Sequence, residues 1–178
     1  MVELEDVEFV RVYENMLNQT DTRGLPPHSF MAIVRGGRDV DIAEVVWNNK
    51  PLGISSEGNT SVVVRDTQNM ERTVKFSRPA EVPIYVRVVV SKTDNTFPDT
   101  GAEDIRNAVV NYINNLATFG ESIIYTRLFT PVNSVPGHQV DSLQIGRSST
   151  TLGTSNLPMS WEEFPITSSE MVEVIVNT

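Results

Sequence analysis

The segment IYVRVVV, residues 84–90, is the feature that most constrains the fold of this chain. It is almost entirely apolar and β-branched, and such a run is typical of a strand that is covered on both faces. Pro79 and Pro83 bracket a short connector just before it, which should therefore be stiff and extended. We expect a domain boundary here, with one subdomain at 1–80 and a second at 81–178.

Strand patterns recur on both sides of this boundary. In ERTVKFSR, residues 71–78, Val74 and Phe76 should point toward a core while Ser77 faces water. Turn-forming residues 67–70 (TQNM) join this segment to TSVVVRD and so predict a hairpin. The remaining predicted strands are VEFVRVYE (7–14), FMAIV (30–34), HQVDSLQIG (138–146) and MVEVIV (171–176).

Three segments are predicted to be helical. Residues 100–103 (TGAE) have the spacing of a capping box, in which threonine and glutamate satisfy free backbone N–H groups at a helix start. The apolar residues that define the buried face of this helix are Ala102, Ile105, Val109, Tyr112, Ile113 and Leu116. An earlier helix should follow the glycines at 36–37 and end at KPLG, 50–53. Residues 121–135 favour a helix whose end is broken by Pro131.

These elements give both halves of the chain a similar order, in which a strand is followed by a helix and then by further strands. We therefore expect an α+β fold of two small subdomains, each a mostly antiparallel sheet with one or two packed helices. Residues 18–29 and 147–158 are rich in turn formers and hydroxyl side chains, which predicts two long loops.

The segment RGGR, residues 35–38, resembles the start of an anion site, because glycines ahead of a helix can present backbone N–H groups to phosphate. Three acids, Asp39, Asp41 and Glu44, follow within the first turns of the helix. They would repel a phosphate, and we expect Asp39 or Asp41 to cap the helix and the two arginines to pair with nearby acids. The glycines are thus predicted to form a turn.

No pattern in the sequence predicts a catalytic, metal-binding or cofactor site. His28 and His138 are the only histidines, and neither has a second ligand at the spacing that metal sites use. Glu162 and Glu163 are adjacent on a segment that reads as extended, so their carboxylates should point apart. Glycosidase acids must face each other across a sugar, and we expect this pair to be solvated.

The bulk composition excludes several classes of partner. The 178 residues carry a net charge of -9, whereas nucleic-acid binding depends on cations that neutralise phosphate. The absence of cysteine excludes disulfides and thiolate chemistry. No apolar run approaches the roughly 20 residues that span a bilayer, and the acidic start MVELEDVEFV is unlike a signal peptide. We expect no nucleic-acid, membrane or small-molecule partner.

Long stretches of the chain resemble the baseplate J-like family of contractile-tailed bacteriophages. The most specific stretch is GLPPHSFMAIVRGGRDVDIAEVVWNNKPLGISSEGNTSVVVRD, residues 24–66, and FSRPAEVPIYVRVVV, 76–90, resembles the family segment that follows. Residues 116–146, with VPG and LQIG, fit a later part of the family, and SWEEFPITSSEMVEVIV, 160–176, fits more loosely. Family members usually carry a further N-terminal region, so the chain is expected to correspond to their C-terminal portion.

The resemblance implies a structural protein and not an enzyme. Its expected role is that of a baseplate wedge component in the virion, assembled in the host cytoplasm and contacting other wedge proteins and copies of itself. The candidate contact residues lie in the two predicted loops or near them, and they are Leu25, Pro26, Pro27, Phe30 and Trp161. Trp47 is expected in a core, because it lies beside two valines on a short helix.

The alternative function is a carbohydrate-binding or hydrolytic tail module that acts on the host cell surface. Such a module should expose a platform of aromatic side chains or a facing pair of carboxylates. The chain has two tryptophans and four tyrosines, and they are scattered along it. The sequence therefore favours the assembly role.

Overall fold

The computed structural model describes residues 4–116 and 119–177. The chain divides into two compact units, Met1–Pro79 and Ala80–Thr178, one residue from the boundary expected from the prolines. Short, mostly antiparallel sheets and a few helices make up both units, as the sequence predicted for an α+β fold.

The described part of the first unit, from residue 4 onward, contains five strands and one helix. In chain order they are β1 (Val7–Asn15), β2 (Ser29–Gly36), α1 (Asp39–Asn49), β3 (Ser55–Glu57), β4 (Thr60–Arg65) and β5 (Glu71–Phe76). Strands β1 and β2 are antiparallel, β3 adds to β2 in parallel, and β4 and β5 form the predicted hairpin. In the order β1-β2-β3, strand β1 is an edge strand of its sheet.

Helix α1 packs its apolar side onto the hairpin and the sheet. Its fully buried residues, Ile42 and Ala43, belong to one core cluster with Val74 and Phe76 of β5. Ser77, expected on the wet face, is buried instead. Its backbone N–H donates to the carbonyl of Ala32 at 2.8 Å, so the chain after β5 is held against β2.

Within residues 80–116 and 119–177, the second unit contains six strands, two α-helices and two 3-10 helices. In chain order they are β6 (Ala80–Pro83), β7 (Tyr85–Lys92), α2 (Gly101–Leu116), a 3-10 helix (Tyr125–Leu128), α3 (Phe129–Val132), β8 (His138–Ser148), β9 (Thr151–Gly153), β10 (Glu163–Ile166), a 3-10 helix (Ser169–Met171) and β11 (Val172–Asn177). Four strands form a sheet in the order β11-β7-β8-β9, and β10 pairs with β6.

Strand β7 lies inside the larger sheet, between a parallel partner, β11, and an antiparallel one, β8. Its fully buried side chains alternate along the strand at 86, 88 and 90, and they share a core cluster with α2 and α3. The residues between them are only partly buried. The expectation that both faces of 84–90 would be covered is met on one face, where the helices of the core cluster pack, and only in part on the other.

Helix α2 buries the predicted face through Ile105, Val109 and Ile113, while the side chain of Leu116 lies outside the described residues. The capping box is not formed as expected, since the hydroxyl of Thr100 donates to the carboxylate of Asp104 at 2.8 Å. Residues 121–135 contain only the two short helical turns at 125–132, with Pro131 buried in the second.

Two segments predicted to be irregular are strands. The connector after Pro79 forms β6, whose register pairs Ala80 with Glu163 and Pro83 with Ile166 of β10. The expected loop at 147–158 is strand in part, since β8 continues to Ser148 and β9, which lies within the segment, pairs back onto it.

Candidate interaction surface

Gly36 and Gly37 form the turn that the sequence predicted between β2 and α1. Their φ angles are 76° and 69°, in the left-handed region that favours glycine. A side chain at Gly36 would collide with the backbone oxygen of Asp6, and one at Gly37 would collide with Val7. The two glycines are therefore required by conformation and by the close approach of the preceding chain.

The acids and arginines around this turn pair with one another. Arg35 binds Glu8, and Arg38 binds Asp41 at 2.7 Å, as expected. The prediction that Asp39 or Asp41 caps α1 is wrong, since the N-cap is Arg38 and no side chain caps the helix.

Arg78 closes the turn from the other side. Its guanidinium donates to the carbonyl oxygen of Val34 at 3.0 Å and of Gly37 at 2.8 Å, and it also pairs with Asp39. The charged groups at the start of α1 are thus engaged within the protein, and the turn is a structural joint.

The two histidines lie in unrelated settings. His28 is exposed and its Nε2 lies 2.8 Å from the side-chain oxygen of Asn18. Both ring nitrogens of His138 are buried without a hydrogen-bond partner, and its ring meets the edge of Phe97 at a centroid distance of 5.9 Å. Within residues 4–116 and 119–177, no group of three or more His, Asp or Glu side chains could hold a metal ion.

The carboxylates of Glu162 and Glu163 have different surroundings. Glu163 binds the guanidinium of Arg147 through both oxygens, at 2.7 and 2.8 Å, and accepts from the backbone N–H of Ser160. The hydrogen bond from Arg147 is the main cause that lowers the pKa of Glu163. Glu162 is exposed. One carboxylate is thus held in a structural ion pair, and the two do not form a matched acid and base.

The first unit contains an apolar cleft with a volume of about 720 Å³. Its floor is the face of β1 and β2, one wall is α1, and its ends are formed by residues 28–30 and 49–54. The apolar side chains that line it are Leu4, Val7, Val10, Val12, Met16, Phe30, Ala32, Val34, Ile42, Val45, Val46, Pro51 and Ile54.

The cleft is open because α1 covers the sheet only in part. The helix contacts β4 and β5 of the hairpin and shares a core cluster with Ala32 and Val34 of β2, while β1 is an edge strand of the sheet. Val10 and Val12 of β1 are consequently 55% and 57% exposed, and the apolar strip continues to Met16 and Leu17, which are also exposed. A contiguous apolar strip of this kind marks an interaction site more often than single exposed residues do.

The polar groups at the cleft are unequally distributed. Lys50, at one end, donates to the carbonyl of Ile54 at 2.9 Å. Glu14 lines the cleft near the end of β1, while Glu5 and Asp6 stand just before its start. These three carboxylates form no ion pair within the part of the chain that the structure describes. The strand that forms the open floor is therefore flanked by acids at both ends.

The five interface residues predicted from the sequence differ in their exposure. Phe30 lines the cleft, and Pro26 and Pro27 are exposed beside it. Trp161 is half-buried in the second unit. Leu25 is 1% exposed, and it offers no side-chain surface to a partner, which corrects the prediction for this residue.

A buried asparagine explains the position of Leu25. The side-chain amide of Asn15 donates to the carbonyl oxygens of Leu25 at 2.8 Å and Pro26 at 3.0 Å. The loop is thereby folded back against the end of β1, with the leucine inside and the prolines outside. An interface role for Pro26, Pro27 and Phe30 stays a prediction.

Val10 and Val12 were not predicted as surface residues from the sequence. Their alternation with Phe9, Arg11 and Tyr13 was visible, but it indicates a strand with apolar residues on both faces. Which face lacks a cover depends on where α1 packs, and the local pattern does not contain that information.

None of the described helices is long and apolar enough to cross a membrane. A scan against protein-family models gives no match for this chain, and a search of curated proteins finds none with significant similarity.

Proposed function

We propose that the protein is a structural component of a baseplate wedge in a contractile-tailed phage and acts through protein–protein contacts in tail assembly. The resemblance of residues 24–66 and 76–90 to the baseplate J-like family suggests the setting. The observation that carries the mode of action is the open apolar cleft along β1. Its partners are other wedge proteins and copies of itself, and its location is the tail baseplate, assembled in the host cytoplasm.

The chemistry of the cleft suits a protein partner better than a small molecule. Small-molecule sites combine an apolar enclosure with a few polar groups directed at the ligand. Here Lys50 is bound to the carbonyl of Ile54, and His28 is paired with Asn18. The apolar strip also continues outside the cleft along exposed residues of β1 and the following loop. A partner with an extended apolar surface can cover both parts.

A sugar-binding or hydrolytic tail module is less well supported. One of its two candidate carboxylates, Glu163, is bound by Arg147. The ring of Trp47 has the ammonium of Lys50 at 5.3 Å and the guanidinium of Arg72 at 5.8 Å from its centroid. That ring packs against the core, as predicted, and its exposed side is occupied by cations. Calorimetric titration with cell-wall fragments should give no binding heat.

The proposal is tested by retention of tail proteins. The tagged 178-residue chain is incubated with a tail-assembly extract of a contractile-tailed phage, and retained proteins are identified by mass spectrometry. We expect baseplate wedge proteins to be enriched over a tag-only control. If no tail protein is enriched, either by this chain or by a longer natural parent chain, the assembly function is rejected.

A further inference from the structure

The cleft presents one side of α1 together with the exposed side chains of β1. Ile42, Val45, Val46 and Asn49 face the cleft at positions i, i+3, i+4 and i+7, so one complete helical face forms its wall. The floor is the bare side of β1. Helices that pack side by side on a sheet lie about 8–10 Å apart. A helix placed next to α1 would complete the layer over this sheet in the manner usual for α+β folds.

The charges around the floor specify what the ends of that helix should carry. The acids before β1 and Glu14 near its end are about eight residues apart, which is roughly 26 Å of strand. A helix of about 18 residues spans the same distance. These carboxylates form no ion pair among the described residues, and Lys50, which also lines the cleft, donates to the carbonyl of Ile54. Lysine or arginine at both ends of an entering helix would therefore find carboxylates to pair with.

A second copy of this chain is the wrong partner for the cleft. Two clefts placed against each other would bring Glu5, Asp6 and Glu14 of both copies together, and each chain carries a net charge of -9. Like charges brought together at an interface disfavour association. A small apolar molecule would fill part of the volume and leave the exposed strip along β1 uncovered.

We infer that the cleft between α1 and β1 is a docking groove for an amphipathic helix of another protein, apolar on the face that enters and basic at both ends. This inference rests on the proposed function in that the helix would belong to a neighbouring tail protein. Helix-in-groove binding of this type uses apolar anchors at i, i+3, i+4 and i+7.

Two designed peptides test the groove directly. Both have about 18 residues with leucines at i, i+3, i+4 and i+7, one with lysines at both ends and the other with glutamates at both ends. Binding to the whole chain is measured by fluorescence anisotropy. We expect the lysine peptide to bind about tenfold more tightly at about 50 mM salt, and the ratio to fall toward one at about 500 mM. Equal binding of the two peptides at low salt would overturn the inference.

Substitutions on the floor locate the binding site. The double variant Val10→Asp, Val12→Asp places charges where the apolar face should enter, and the lysine peptide should bind it at least about tenfold more weakly. Val63→Asp is the control, because Val63 of β4 is 58% exposed and lies outside the cleft. Circular dichroism checks that each variant is folded. Loss of binding in the control, or unchanged binding in the double variant, would contradict the assignment.

Charge reversal gives a test that does not alter the apolar surface. Glu5→Lys, Glu14→Lys should invert the preference, so that the glutamate peptide binds more tightly. Glu121→Lys, Glu162→Lys changes the total charge equally at exposed sites of the second unit and should leave the preference as in the unmodified chain. Inversion in both variants would show a nonspecific charge effect and overturn the groove.

The extract experiment separates the groove from the function. If wedge proteins are retained equally by the unmodified chain and by the Val10→Asp, Val12→Asp variant, the assembly function stands and the groove is rejected. If the lysine peptide binds as expected but no tail protein is retained, the groove stands and the assembly function is rejected. Dimerisation of the chain at about pH 7 that is abolished by the double variant would assign the cleft to a second copy and overturn the inference.

Discussion

Alanine substitutions at two glycines of the first unit distinguish the cost of backbone strain from the cost of steric collision. Gly36 and Gly53 have φ angles of 76° and 81°, so alanine would adopt a left-handed conformation at both, at a cost of about 1–2 kcal/mol. Gly53 has open space around the position of a Cβ atom, whereas Gly36 faces the backbone oxygen of Asp6. Gly36→Ala should therefore lower the free energy of unfolding by about 2 kcal/mol more than Gly53→Ala does.

Urea denaturation followed by tryptophan fluorescence measures this difference. A Trp161→Phe background leaves Trp47 as the remaining tryptophan, and Trp47 packs against the core of the first unit. Equal losses for the two alanine variants would mean that the chain before β1 moves away from the turn at little cost. The joint between β2 and α1 would then not depend on the close approach of Asp6.

The hairpin of β4 and β5 is held by one carboxylate at its turn. Asp66 accepts from the backbone N–H of Gln68 at 2.9 Å and of Met70 at 3.0 Å, and from the guanidinium of Arg72 at 2.9 Å. The hydrogen bond from Met70, followed by that from Arg72, lowers the pKa of Asp66 below its ordinary value. The folded hairpin thus favours the charged carboxylate.

The sign of the pH dependence follows from this lowered pKa. The stabilisation is fully present above the ordinary carboxyl pKa of about 3.9 and is lost as the pH falls through the lower folded value. Asp66→Asn should reduce the urea midpoint at about pH 7, and its difference from the unmodified chain should shrink below about pH 4. Glu44→Gln, at an exposed helix position, should change the midpoint little. A pH-independent difference for Asp66→Asn would contradict the role of its charge.

The elements that the sequence predicted correctly are those whose signal is local. Alternation and helical spacing placed β1, β5, β7 and α2, and positive φ at Gly36 and Gly37 fits the predicted turn. The prediction failed for β6, since its prolines indicated a connector while its partner β10 lies about 80 residues further along the chain. Pairing over that distance leaves no local pattern, and proline is tolerated because β6 is one edge of a two-stranded sheet.

The candidate site was predictable to a smaller extent. Phe30 was singled out from its loop and lines the cleft, but Leu25 was assigned to the surface on the strength of its loop neighbours. Asn15, which holds Leu25 inward, lies ten residues earlier in the sequence. Exposure of a side chain depends on such contacts, so loop composition alone predicted the region of the surface and not each residue in it.

At the scale of the whole molecule, charge and exposed apolar surface oppose each other. The net charge of -9 at pH 7 should keep copies of the chain apart, although Val10 and Val12 are exposed. Near the isoelectric point of about 4.7 the net charge of the chain is close to zero, and this repulsion between copies vanishes. We therefore expect a monomer at about pH 7 and self-association near the isoelectric point.

Size-exclusion chromatography with light scattering at the two pH values measures this balance. Val10→Asp, Val12→Asp should reduce association near the isoelectric point, because it replaces the exposed apolar strip through which copies of the chain would associate. Val63→Asp adds charge of the same kind at an equally exposed valine of β4 and should have a smaller effect. If both variants associate as the unmodified chain does, another surface drives association, and the strip along β1 is not the dominant apolar contact when charge is neutralised.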